Sequence, residues 1–192
     1  MIDQRKLVVI SGPSGSGKDT VSAMLRDSRS DIYISISCTT RPPRGAEQNG
    51  KDYFFISEDE FRKRLDDGRM IEYTCYAGKY YGTPMDEIEQ QISEGKTVIL
   101  VIDTNGGANI KKLYPDSMGV FISPPSLEIL EERLRGRGTE NEEQIRQRLS
   151  IAKKELELSG LYDFSLINDD LSLCVQQLSD LIDKWQLTED KE

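Results

Sequence analysis

Gly12-Pro13-Ser14-Gly15-Ser16-Gly17-Lys18 follows the short apolar run 7–10 and precedes a segment with Val21, Met24 and Leu25 on one helical stripe. The stretch fits G-x-x-x-x-G-K between a strand and a helix, the context in which that spacing makes a phosphate-binding loop. Its glycines let backbone N–H groups converge on a polyphosphate. Lys18 adds a point charge at the β/γ oxygens, and the helix N-terminus adds its dipole. The next residues are Asp19, where a Ser or Thr magnesium ligand is usual, and Thr20. A carboxylate at that place repels phosphate unless a metal lies between them. Its other reading is a helix-start acid favoured by the dipole.

Outward from the loop, strand-like runs alternate with helical stripes. Residues 33–36 and 53–56 read as strands, and residues 98–102, 118–122 and 164–167 as further apolar strands. Ser57-x-x-Glu60 opens a short helix as a capping box, and Thr83 is expected to cap a helix beginning at Pro84. Residues 70–81 read as a hairpin with Ala77-Gly78 at its turn. Leu127, Leu130 and Leu134 mark one helix, and Ile145, Leu149, Ala152 and Leu156 another. A closing helix carries Leu171, Val175, Leu178, Ile182 and Trp185 on one stripe. Strands alternating with helices predict a mainly parallel sheet covered on both faces. Residues 35–81 interrupt the alternation and read as an inserted β-rich lobe.

The 192 residues carry 25 Lys+Arg against 34 Asp+Glu, a net charge of −9. That sign argues against general binding of nucleic acid polymers or anionic membranes. Histidine is absent, which excludes every Ser-His or Cys-His nucleophile pair and every imidazole base. Cys38, Cys75 and Cys174 form neither a CxxC motif nor an even disulfide set. With no apolar run near the ~20 residues of a membrane span and none long enough for a signal peptide, the chain reads as reduced and cytoplasmic.

The segments after the loop carry a resemblance. Ser37-Cys-Thr-Thr-Arg41-Pro-Pro-Arg44, Glu47-x-x-Gly50-x-Asp52-Tyr53, Gly68-Arg-Met-Ile-Glu72-Tyr and Tyr81-Gly-Thr83-Pro closely resemble the nucleoside-monophosphate lobe of guanylate kinases. Leu134-Arg-Gly-Arg137-Gly-Thr-Glu with Arg148-Leu resembles their lid, and Asn168-Asp-Asp their closing pattern. The resemblance implies an α/β, P-loop nucleoside-monophosphate kinase fold with a parallel five-stranded sheet core and helices on both faces. It implies one guanylate-kinase-like domain over 1–192: a core (1–34, 84–124 and 158–192), a GMP-binding lobe (35–83) and a helical lid (125–157). It also implies transfer of the γ-phosphoryl of ATP to GMP, and by extension dGMP, with Mg²⁺. ATP would meet Gly12, Pro13, Ser14, Gly15, Ser16, Gly17, Lys18, Asp19 and Thr20, with Asn168 near adenine. Arg41, Arg44, Tyr53 and Tyr81 would hold the GMP phosphate. Ser37, Glu72, Thr83 and Asp103 would read guanine. Arg137 and Arg148 would close from the lid, and Lys18, Arg44, Arg137 and Arg148 would form the catalytic set.

Elementary chemistry agrees with this set. A phosphate monoester is mostly dianionic at neutral pH, its second pKa being about 6, so the acceptor needs no general base. It needs charge neutralisation, and arginine supplies it as a permanently charged planar fork. Five arginines fall within residues 133–148. Arg133 or Arg135, and Arg146, read as members of a solvated Glu/Arg face. Guanine presents neighbouring N1–H and N2–H donors that one carboxylate, Glu72, can accept. Adenine would leave that carboxylate unpaired.

Three departures from the family pattern stand out. The strand end Val101-Ile-Asp103 lacks the first acid of an acid-x-acid pair, Asn105-Gly106 replaces Gln-Gly, and Ala46 replaces a glycine. Asp19 is expected to offset the missing acid at position 101; the metal ligands and the choice between monomer and homodimer stay open. Two rival readings exist. A ribose 1,5-bisphosphate-forming kinase of phosphonate breakdown shares the loop and the Asn-Asp ending, but has no need of Arg41, Arg44, Tyr53 and Glu72 together. A non-catalytic guanylate-kinase-like binding module would have degraded Lys18, Arg137 or Arg148.

Overall fold

The computed structural model describes residues 2–76, 78–136, 138 and 141–187. In chain order the elements are β1 (Leu7–Ser11), α1 (Lys18–Ser28), β2 (Ile32–Ile34), β3 (Cys38–Thr39), β4 (Phe54–Phe55), α2 (Glu58–Asp66), β5 (Met70–Tyr76), β6 (Lys79–Pro84) and α3 (Met85–Ser93). Then follow β7 (Thr97–Val101), α4 (Thr104–Leu113), β8 (Met118–Ser123), α5 (Leu127–Gly136), α6 (Glu142–Leu156), β9 (Phe164–Ile167) and α7 (Leu171–Leu187).

β1 is buried along its whole length because its alternate residues face two helical layers. Val8 and Ile10 pack with Val21 and Leu25 of α1 and Leu178 and Ile182 of α7. Leu7 and Val9 pack with Ile88 and Ile92 of α3 and Ile110 of α4. Such double coverage suits a parallel strand. The main sheet has the order β2-β7-β1-β8-β9 with every pair parallel, as the alternation predicts. The phosphate loop leaves the carboxyl end of β1, where open α/β sheets bind ligands.

A second sheet, β4-β3-β6-β5, is built from the inserted segment. Its β5–β6 hairpin aligns Glu72 with Thr83 and Thr74 with Tyr81; Ala77 of the expected turn lies outside the described residues. α5 and α6 pack through Leu130, Leu134 and Ala152, with Leu127 and Leu149 at the margin.

Two local expectations are corrected. Thr83 caps no helix: pairing of β6 runs on to Pro84, opposite Met70, and Pro84 stands at the N-cap of α3 without a side-chain bond. Thr83 is therefore a strand residue whose hydroxyl faces across the hairpin. α4 was not foreseen, because Asn105-Gly106-Gly107 is a poor helix former. It forms because Asp103 caps it, accepting from Gly106 N–H at 2.8 Å. A Cβ at Gly107 would lie 2.3 Å from the Tyr162 hydroxyl and 2.4 Å from the Ser11 hydroxyl, so glycine alone allows this close approach to β1. At α2, Ser57 does cap, accepting from Glu60 N–H at 3.1 Å, while the Glu60 carboxylate pairs with Arg64.

Candidate active site

The loop after β1 owes its shape to contacts on its inner side. Gly12, Gly15 and Gly17 have positive φ, and all three are also sites of close approach, a Cβ on Gly15 standing 2.8 Å from the Leu130 side chain. A Cβ on Gly12 would stand 2.1 Å from the Ile122 carbonyl, and one on Gly17 2.2 Å from Asn168 Nδ2. Pro13 accepts from Ser16 N–H at 3.0 Å across the loop. Lys18 opens α1 with its side chain 15% exposed, 3.9 Å from an Asp19 carboxylate that is 81% exposed. Thr20 is exposed beside it.

Asn168 was expected beside adenine. It lies under the loop, 5% exposed, where its amide donates to the Ser16 carbonyl at 2.8 Å. Its backbone carbonyl accepts from Arg133 Nη2 at 2.8 Å, and Arg133 Nη1 reaches the Ser16 carbonyl at 3.4 Å. Arg133 is thus no solvated face residue: it ties α5 to the loop and to the end of β9. Arg135 does match the solvated reading, pairing with Glu131 and Glu142. The two arginines share a helix and differ only in what they face, so sequence could not separate them. Arg148, on α6, donates to the Ser14 hydroxyl at 2.9 Å. Arg137 lies outside the described residues.

Across the cleft, the hairpin register brings Glu72 and Thr83 side by side. The Thr83 hydroxyl donates to Glu72 Oε1 at 2.7 Å, and Ser37 Oγ lies 3.5 Å from Thr83 Oγ1. Burial pushes the Glu72 carboxyl above its ordinary value; the Thr83 hydrogen bond opposes this and the nearby Asp103 charge adds to it. Asp103 uses Oδ1 to cap α4. Ser37, Tyr53, Glu72, Tyr81 and Asp103 line one cavity of about 320 Å³. A second cavity of about 470 Å³ shares Ser37, Tyr53 and Val101 with it and extends to Asp19. Shared lining at Ser37, Tyr53 and Val101 thus sets the Glu72 cavity next to one that reaches Asp19 in the first turn of α1.

At the outer side of that cleft, Arg41 is 7% exposed. Its guanidinium lies over the Tyr53 ring at 5.0 Å and the Phe55 ring at 5.7 Å. Tyr53 meets Tyr81 edge-on at 6.1 Å. Glu47 grips Arg41 bidentately at 2.6 and 2.8 Å and also accepts from Arg44 N–H at 2.7 Å. These hydrogen bonds hold the Glu47 carboxyl down at about 2. Part of the Arg41 charge is thus neutralised, and the exposed Arg44 supplies the less compensated cation. Glu47 appears in the motif, but only the fold reveals that it organises both arginines.

Among the described residues no three His, Cys, Asp or Glu side chains cluster as a metal cage. The donors at the loop are hard oxygens: the Asp19 carboxylate and the Thr20 hydroxyl. That set fits magnesium, which is usually bound through one or two carboxylates, phosphates and water.

The sequence profile of the guanylate kinase family matches residues 4–185. The guanylate kinase of Porphyromonas gingivalis is 46% identical, over 90% of this chain and 94% of that protein. The guanylate kinase of Synechocystis is 43% identical, over 92% and 93% respectively. The crystal structure of guanylate kinase from Anaplasma phagocytophilum superposes with a TM-score of 0.73 at 30% identity, covering 93% of this chain and 84% of that one.

Proposed function

Because the chain belongs to the guanylate kinase family, we propose how its residues divide the family's work. The reaction is transfer of the γ-phosphoryl group of ATP to GMP, giving ADP and GDP; dGMP is proposed as a further acceptor. The observation that carries the reading is the part-buried Glu72 carboxylate, fixed by Thr83 at 2.7 Å, in a cavity that adjoins the one reaching Asp19.

In this account the backbone of 12–17 and Lys18 hold the ATP phosphates, and Asp19 and Thr20 would hold the accompanying magnesium. When bound, that ion neutralises charge shared by the β- and γ-phosphates. Asn168 and Arg133 keep the loop in its binding shape from beneath. Glu72 accepts N1–H and N2–H of guanine, with Ser37, Thr83 and Asp103 completing the edge. Arg41, Arg44, Tyr53 and Tyr81 hold the GMP phosphate. Arg148 meets the transferring group from α6, and Arg137 joins it from the lid. The acceptor dianion is its own nucleophile, so the chain supplies alignment and positive charge rather than a base.

The proposed parts are a core (1–34, 84–124 and 158–192), an acceptor lobe (35–83) and a lid (125–157). A cytoplasmic location fits the absence, among the described residues, of any helix long and apolar enough to cross a membrane. The test is transfer of label from [γ-³²P]ATP. Label in GDP with intact protein, and none with Lys18→Ala, supports the reading; ATP binding without transfer to GMP refutes it.

A further inference from the structure

The chain passes between its two sheets twice, at residues 35–37 and where β6 meets α3. The first passage has little loose backbone. Ser35 N–H donates to the Ile99 carbonyl of the main sheet at 3.0 Å, and the Ser37 carbonyl accepts from Phe54 N–H of the second sheet at 2.9 Å. Ile36 alone lies between these anchors. Its N–H donates to Glu87 Oε2 at 3.4 Å, and the other oxygen of that carboxylate accepts from the Tyr33 hydroxyl of β2.

Glu87 belongs to the first turn of α3, two residues beyond Met85. Met85 N–H is itself held by the Arg69 carbonyl at 3.0 Å. The neighbouring Ile88 is fully buried, so the helix gives the carboxylate a firm base. One side chain thus links the strand entering the first passage, the pivot peptide and the helix leaving the second. Half-burying a carboxylate is costly unless its hydrogen bonds serve an arrangement, and burial does push the Glu87 carboxyl above its ordinary value.

We propose that Glu87 is a positioning residue for the acceptor nucleotide: by holding the Ile36 peptide it sets Ser37 against Thr83 and Glu72. The route is continuous, from Glu87 to Ile36, through the chain to Ser37, then 3.5 Å to Thr83 and 2.7 Å to Glu72. Glu87 lines neither of the two site cavities, so its effect is indirect. The proposal rests on the acceptor-site reading above.

Calorimetric binding of GMP, with ATP as internal control, tests it on the full chain and on Glu87→Ala, Glu87→Gln and Tyr33→Phe. Loss of both acceptor contacts in Glu87→Ala weakens GMP binding about 10-fold with ATP binding unchanged. Gln offers only one acceptor oxygen, so Glu87→Gln and Tyr33→Phe fall between Ala and the unaltered chain. Steady-state assays place the loss in the KM for GMP rather than in kcat. A lower melting temperature with unchanged GMP affinity in all three variants overturns the role of Glu87. So does equal weakening of GMP and ATP. Failure of the unaltered chain to bind GMP while it binds ATP overturns the acceptor-site reading, and the proposal with it.

Discussion

Arg148 and Ser14 stand 134 residues apart in sequence, yet the guanidinium donates to the hydroxyl at 2.9 Å. The contact joins the helical pair α5–α6 to the phosphate loop. On the proposed reading it sets a permanently charged fork beside the transferring phosphoryl group, where charge spreads. Arg148→Ala therefore lowers kcat about 10³-fold or more, the scale of a transition-state arginine, with a smaller change in ATP affinity. Arg148→Lys recovers little, because an ammonium lacks the two-pronged geometry. Single-turnover kinetics separate the two effects.

On the proposed reading, Glu72 trades stability for recognition of guanine. Burial raises its carboxyl above 4.5, so the native state carries the cost of a buried charge at neutral pH. Well below 4.5 the group is neutral in native and unfolded chains alike, and the stability is fully present; it is lost as pH rises past the ordinary carboxyl value and through the native one. Glu72→Gln keeps the Thr83 hydrogen bond and removes the charge. The variant melts at a higher temperature than the unaltered chain at neutral pH, and the gap closes below pH 4.5. Thermal melts across pH check this.

The same carboxylate fixes the sign of a binding profile. Protonated Glu72 offers one oxygen fewer to the paired N1–H and N2–H donors. GMP affinity therefore rises as pH climbs from 4.5 through the native value, on top of the rise at about pH 6 that the second ionisation of the GMP phosphate gives every variant; Glu72→Gln binds more weakly and keeps only the phosphate's step. Titration of GMP binding by calorimetry reads it directly.

Asp19 and Val101 border the same cavity, one on the loop side and one at the end of β7. If Asp19 faces the nucleotide's magnesium, Asp19→Ser weakens ATP binding in the presence of magnesium and leaves binding in EDTA nearly unchanged. Val101→Asp then restores part of the loss. Manganese paramagnetic resonance with ATP bound gives a readout independent of turnover.

Much of this molecule is legible along the sequence, because its signals are local. The phosphate loop needs only its glycines, its lysine and flanking elements, and the parallel sheet follows from alternating apolar runs. What escapes is decided by partners far along the chain. Thr83 looks like a helix cap until pairing with β5 turns it toward Glu72. Arg133 and Arg135 are the same residue type two positions apart, and only the fold puts one on the loop and the other among glutamates. Glu87 reads as one more acid on a charged helix, and its two hydrogen bonds reach back to Tyr33 and Ile36. α4 is hidden because its glycines oppose a helix, while the crowding by Tyr162 and Ser11 that demands Gly107 is tertiary.

If Glu72 selects guanine, the choice of acceptor hangs on one carboxylate. ADP release with ATP and Mg²⁺ reads this across GMP, dGMP, AMP, UMP and ribose 1,5-bisphosphate, on the unaltered chain and on Glu72→Gln. Selection by Glu72 predicts turnover confined to GMP and dGMP. It also predicts a loss of about 10²-fold or more in kcat/KM for GMP in the variant, the scale of losing charged hydrogen bonds. Turnover with ribose 1,5-bisphosphate in place of GMP, or GMP turnover indifferent to Glu72→Gln, would contradict it.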